Sequence, residues 1–286
     1  MTFLKHIVLF VGSLGLCASL FAKEIVISIE RDILEMSNRY LDGKSISEFE
    51  DFTSPYCQRD IVEFIVVQKA LYEGGFKHRF HFEPGNFDAR NTRLLLSGDL
   101  LLSFDTLWSN FALEHQDKLF VSDPVIRKGE FVAGVFVSVK NAKKLKVKTL
   151  EDFKQLSLVS SSDWHVDWLT LTAIKPRQLI DEEDWVSMAK LVSKGWVDAM
   201  LVSFNNTEPF YYKGPAYKIV ALEGVKVALD DSRHFVVSKR HRLGQETYDA
   251  LQLGLKKLRQ RGYITKAYRQ CGFFNSAVEN WTLLNP

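Results

Sequence analysis

One local pattern occurs twice in this chain and limits what it can fold into. Residues 94–102 read LLLSGDLLL, and about a hundred residues later 190–202 read KLVSKGWVDAMLV. Each is the end of a helix, a glycine able to take the left-handed conformation beyond it, an aspartate, and an apolar run suited to the interior of a sheet. Two copies suggest two similar α/β lobes. Helix–glycine–strand junctions also occur in any α/β protein, so the pattern alone leaves a single α/β domain open.

The surrounding sequence points to the same fold class. Residues 25–29 (IVISI) predict a buried strand, and 30–58 read as irregular and polar. A helix is expected over 59–73, with Ile61, Phe64, Ile65, Gln68, Leu71 and Tyr72 on one stripe and Gly74-Gly75 as its stop. A second strand is expected at 78–82 and a second helix at 87–97. Strand–helix alternation argues for an α/β layered architecture with a mainly parallel sheet. Farther on, Thr149 with Asp152 caps a short helix over 149–154. A strand follows at 156–159, and Ser160, Ser161, Ser162 and Asp163 cap a helix running to about 172. A short strand at 235–237 precedes an amphipathic helix over 244–261, whose buried face is Tyr248, Leu251, Leu255 and Leu258, with Gly262 as its stop.

Of the 286 residues 46% are apolar and 25% charged, which excludes a disordered chain; 37 basic against 35 acidic residues give no whole-chain footprint for nucleic acid. Residues 1–22 combine Lys5 with an apolar run over 7–21 and end at Ala22, the pattern of a cleaved secretory signal. That run is too short for a membrane span, and Leu16 stands before Cys17 where a lipoprotein peptidase needs a small residue. The expected location is therefore the periplasm. There Cys57 and Cys271 are either a disulfide or two buried thiols, and their spacing does not decide between these.

Several stretches, in order, resemble solute-binding family 3, the amino-acid type of periplasmic solute-binding protein with the type II periplasmic-binding-protein fold. They are 95–102 (LLSGDLLL), 120–124 (FVSDP), 148–153 (KTLEDF), 195–199 (GWVDA) and 258–271 (LRQRGYITKAYRQC). Residues 30–60 lack the family's usual glycine and aspartate around the first helix, so the resemblance is to a divergent member. It implies two lobes, each a mainly parallel sheet flanked by helices, joined by two crossing strands and closing on a small molecule. Lobe 1 would comprise 23–127 and 226–286, and lobe 2 would comprise 128–225. The implied function is hinge-closing capture of a small polar solute by a monomer, for delivery to the membrane permease of an ABC transporter. A sensing module without a permease, or a cleft enzyme such as a dehydratase or lytic relative, is the alternative.

By position, the family's cleft would be lined here by Ser103, Phe104, Asp105, Thr106 and Trp108 from lobe 1. Lobe 2 would supply Ser162, Asp163, Trp164 and Ser203. The serines are equally explained as helix caps and the aromatic rings as core. Amino-acid binders of the family carry an arginine where this chain has His115 and an aspartate where it has Ser203. Without them, and with Asp105 and Asp163 beside the site, a neutral, aromatic or cationic solute fits better than a free α-amino acid. A shifted alignment would instead leave Arg127 or Arg90 as an anion clamp.

No metal-ligand, phosphate-loop or nucleophile motif appears, so no metal, cofactor or catalytic group is expected. His78-x-x-His81 falls on an expected strand, where the two side chains face apart. Glu182, Glu183 and Asp184 read as a solvated helix start, and His165 and Asp167 as exposed helix positions. A catalytic reading would need a carboxylate of displaced pKa in the cleft, for which Asp105 and Asp163 are the candidates.

Overall fold

Runs of β-branched and apolar residues form the strands, and the helices between them lay apolar faces on those strands. The computed structural model describes residues 24–54, 57–85 and 89–285. The expected secretory segment 1–22 lies outside them. The chain opens with β1 (Ile25–Glu30), α1 (Arg31–Leu41), α2 (Arg59–Glu73), β2 (Phe80–Gly85), α3 (Ala89–Ser97), β3 (Leu107–Trp108), α4 (Ser109–Glu114) and β4 (Leu119–Val121). The middle holds β5 (Val132–Ser138), α5 (Val139–Ala142), α6 (Leu150–Lys154), β6 (Ser157–Ser160), α7 (His165–Ile174), β7 (Gln178–Asp181), α8 (Trp185–Lys194), β8 (Ala199–Ser203), β9 (Tyr211–Gly214) and β10 (Tyr217–Ala228). It ends with β11 (Arg233–His234), β12 (Val236–Ser238), α9 (Gly244–Gln260), α10 (Tyr263–Gln270) and β13 (Thr282–Leu283).

The strands fall into two groups. In the first lobe β1 pairs in parallel with β2, while β12 pairs antiparallel with β4 and bridges Leu102 through Val237. The second lobe is built on one sheet of order β13-β10-β5-β8-β6-β7, with β9 also paired to β10. Its β7-β6-β8 portion is parallel, and β5 runs antiparallel to both β8 and β10. Between the groups, two stretches of chain run side by side in opposite directions. The Val125 amide donates to Arg233 O at 2.8 Å, Arg233 N to Ile126 O at 2.9 Å, and Leu229 N to Phe131 O at 3.0 Å. A further strap follows α10, because β13 lies on the second sheet beside β10.

Both glycines of the repeated step end their helices in the left-handed region, Gly98 at φ 96° and Gly195 at φ 73°. The capping box at Thr149 and Asp152 forms, Asp184 caps α8 through the Ser187 amide, and Gly74 and Gly75 end α2. Four expectations need correction. Residues 30–58 are not all irregular: α1 follows β1 directly, with Ile33 and Ser37 buried four residues apart. The stripe on α2 is too narrow, since Ile61 to Val67 are buried without a break while Tyr72 is exposed. The second strand lies at 80–85, two residues later at its start than expected. The serine run does not cap α7, which has Trp164 at its N-cap without a side-chain bond.

Cys57 and Cys271 are bonded, joining the residues just before α2 to the end of α10. Lys69, almost wholly buried on α2, donates to Ser47 O, Phe49 O and Glu50 Oε1, each at 3.0 Å, and lies 4.8 Å from the Tyr263 ring centre. Those contacts fasten the loop before α2 to the lobe-1 core. Among the described residues no helix is long and apolar enough to cross a membrane.

Candidate functional site: an arginine–carboxylate cluster between the lobes

Glu63 interrupts the apolar run of α2 with a charged group that is fully buried, so it must be satisfied by its surroundings. Its carboxylate accepts the Thr106 amide and the Thr106 hydroxyl, both at 2.8 Å, and Arg59 Nη1 at 2.9 Å to each oxygen. Arg59 also pairs with Asp60 in the first turn of the same helix. The Thr106 hydroxyl accepts in turn from Arg233 Nε at 2.8 Å, and Arg233 Nη2 donates to Thr106 O. Trp108 covers that guanidinium, 4.5 Å from its ring centre, and is itself stacked on Phe131. The order Arg59–Glu63–Thr106–Arg233–Trp108 is therefore one connected network. It reaches from the start of α2 to the strand that crosses between lobes.

Two more carboxylates feel its guanidiniums, one from each lobe. Asp105, in the loop before β3, accepts from the Ser103 hydroxyl. Burial pushes its carboxyl up from 3.8 to about 6, with Glu63 pushing the same way against Ser103, Arg233 and Arg59. Asp167 projects from α7 of the second lobe. Its carboxyl is likewise pushed up to about 6, by burial, while Arg233 and Arg59 pull it down. The same two guanidiniums act on both aspartates, so the cluster spans the gap between lobes. Tyr212 adds to the second-lobe side. Burial raises its ionisation, Asp60 adds to that, and its hydroxyl donates to Ser203 O at 3.0 Å. From the first lobe comes Tyr268, fully buried, whose hydroxyl has no partner among the described residues and whose ionisation is raised by burial and by Glu63.

The electrostatic consequence is an imbalance. Two guanidiniums stand among four carboxylates, those of Asp60, Glu63, Asp105 and Asp167. Burial is the leading cause that Asp105 and Asp167 hold their protons to higher pH, with Glu63 adding to it at Asp105. A cationic group placed there would relieve that cost.

The expected site residues divide sharply. Ser103, Asp105, Thr106 and Trp108 lie in the cluster, although Trp108 offers its face to Arg233 rather than to open space. Phe104 is core: its ring lies 4.9 Å from Phe82 and 5.3 Å from Phe80. His115 does not stand in for an arginine at this network; it ends α4 edge-on to Phe111, 4.7 Å away. Ser162 and Asp163 are exposed on a turn held by the bonds Ser162 N to Asp181 and Asp163 N to Ser161 Oγ. Trp164 packs on the second-lobe core, and Ser203 contributes only a carbonyl. Arg90 and Arg127 are exposed, so neither is the buried guanidinium. Asp167, expected to be an exposed helix position, is half-buried and feels the charges of Arg233 and Arg59. Arg59, Asp60, Glu63, Arg233, Tyr212 and Tyr268 were not foreseen; the charged Glu63 inside IVEFIVV was the available signal.

No protein-family model matches the chain, and a search of curated sequences finds no relative. Solved structures do match. A probable amino-acid ABC transporter extracellular-binding protein of Bacillus subtilis superposes with TM-score 0.54 at 13% identity, covering 72% of this chain and 85% of its own. An amino-acid ABC transporter substrate-binding protein of Streptococcus pneumoniae bound to L-arginine gives 0.53 at 15% identity, over 85% and 93% of the two chains. A mutant of ArgBP from T. maritima gives 0.50 at 13% identity over 86% and 93%. The chain has the two-lobe periplasmic-binding-protein fold. Clefts between α/β lobes lie at the carboxyl ends of strands, beside helix N-termini.

Proposed function

We propose that the protein is a divergent substrate-binding protein of the amino-acid type that captures a small solute bearing a cationic group between its lobes. The observation that carries this reading is the pair Asp105 and Asp167, one from each lobe, facing the same two guanidiniums with carboxylate in excess. A cation bridging the two aspartates would favour the closed arrangement by its differential affinity for it. The bodies that move are residues 23–127 with 226–286, and residues 128–225. The secretory segment 1–22 directs the chain to the periplasm, where it acts as a monomer and hands the solute to an ABC-type permease. The S. pneumoniae neighbour, bound to L-arginine, supports this choice of ligand class.

Thermal-shift measurements with L-arginine, L-lysine, putrescine, L-leucine and L-glutamate test the reading, because a ligand that binds only the folded state raises Tm by mass action. The account expects upward shifts from the cationic compounds and none from L-glutamate. A shift from L-glutamate alone would overturn it. The raised Asp105 carboxyl also favours a second reading, a cleft enzyme with Asp105 as general acid, since displaced carboxyls mark catalytic sites. Turnover of a bound compound, abolished in Asp105→Asn, would distinguish it.

A further inference from the structure

The second lobe carries a charge run that the cleft does not use. Lys140, Lys143, Lys144, Lys146 and Lys148 fall within nine residues, on α5 and the segment after it, and all are exposed. The nearby acids are engaged elsewhere: Glu151 pairs with Lys154 at 2.6 Å, and Asp152 accepts the Lys148 and Thr149 amides of the α6 cap. Among the described residues, Lys140, Lys143, Lys144 and Lys146 make no ion pair. Beside this run lies the turn after α8, for a Cβ on Gly195 would sit 3.8 Å from Asn141 Nδ2. That turn presents Trp196, 70% exposed, with Lys194 Nζ 4.7 Å from its ring centre, and Val139 at the start of α5 is 43% exposed.

An aromatic ring and an apolar side chain beside five exposed lysines, four of them without an ion pair, match the chemistry of a bilayer surface. Indole settles at headgroup depth, and lysines are drawn to anionic headgroups. We propose that this face of the second lobe docks on a membrane rich in anionic phospholipid. A soluble acidic protein would complement the lysines but gives no reason for an indole held open to solvent beside them. The proposal is independent of what the cleft binds.

The test is co-sedimentation of the chain beginning at Lys23 with vesicles of phosphatidylglycerol and phosphatidylcholine, against vesicles of phosphatidylcholine alone. Binding to the anionic vesicles only is expected, weakening at high salt, with a blue shift in emission that is lost in Trp196→Phe. Each lysine beside an anionic surface multiplies binding roughly fivefold. Lys140→Glu, Lys143→Glu and Lys144→Glu together should therefore lower it by more than about a hundredfold, with Tm unchanged because all three are exposed. Wild-type protein left in the supernatant with anionic vesicles, equal binding to both vesicle types, or undiminished binding by the triple variant would each overturn the proposal.

Discussion

Glu63 is the residue on which the cluster turns. It satisfies two guanidinium-linked groups and a backbone amide at once, so its loss strands Arg59 and the Thr106 amide in a buried place. Glu63→Ala should cost about 3–5 kcal/mol of stability, read from urea unfolding. Asp105 acts in the opposite sense. An acid whose pKa is higher folded than unfolded binds its proton more tightly in the native state, so its contribution to stability falls as pH rises from 3.8 to about 6. Asp105→Asn should therefore raise the urea midpoint above wild type at pH 8, with the gain shrinking towards pH 4; a variant equal to wild type at pH 8 contradicts the buried, unfavourable carboxylate. Glu63 could have been found in the sequence as the one charge inside the apolar run 61–67. Arg233 could not, because SRHFVV gives no local sign that its arginine turns inward across a chain separation of 127 residues.

At the scale of elements, α2 and α9 meet through paired small residues. A Cβ on Gly254 would fall 1.8 Å from Ala70 O, and one on Gly74 equally close to Ala250 O. Gly254→Ala should thus destabilise by about 1–3 kcal/mol through overpacking. Leu253→Ala, next in sequence but 47% exposed, should change stability far less; equal costs would contradict the close crossing. Elements with end signals were legible: the Thr149–Asp152 box, the helix start near 182–184 and the glycines at 98 and 195. Helix α1 was not, because it follows β1 with no intervening turn residue and its polar composition masks the buried Ile33. Asp167 was misplaced for a related reason. Its helix buries Val166, Leu171 and Ile174 and leaves Asp167 half-buried, an intermediate exposure that periodicity within one segment does not reveal.

Across the whole molecule the twofold step at Gly98 and Gly195 suggested two similar lobes without excluding one domain, and the ordered short motifs supplied the two-lobe fold. What ties the lobes was less readable, since the return of β13 to the second sheet rests on two residues of pairing at the end of the chain. The Cys57–Cys271 bond closes a separation of 214 residues. Its removal by Cys57→Ser with Cys271→Ser should cost about 2–5 kcal/mol, measured as a fall in urea midpoint matched by adding reductant to wild type. In the proposed mechanism aspartates from opposite lobes jointly hold a cationic guest. Calorimetric titration of L-arginine into wild type, Asp105→Asn and Asp167→Asn tests it most directly. Saturable binding by wild type, weakened about tenfold or more in each variant, is the expected result; affinity unchanged in both variants would contradict it.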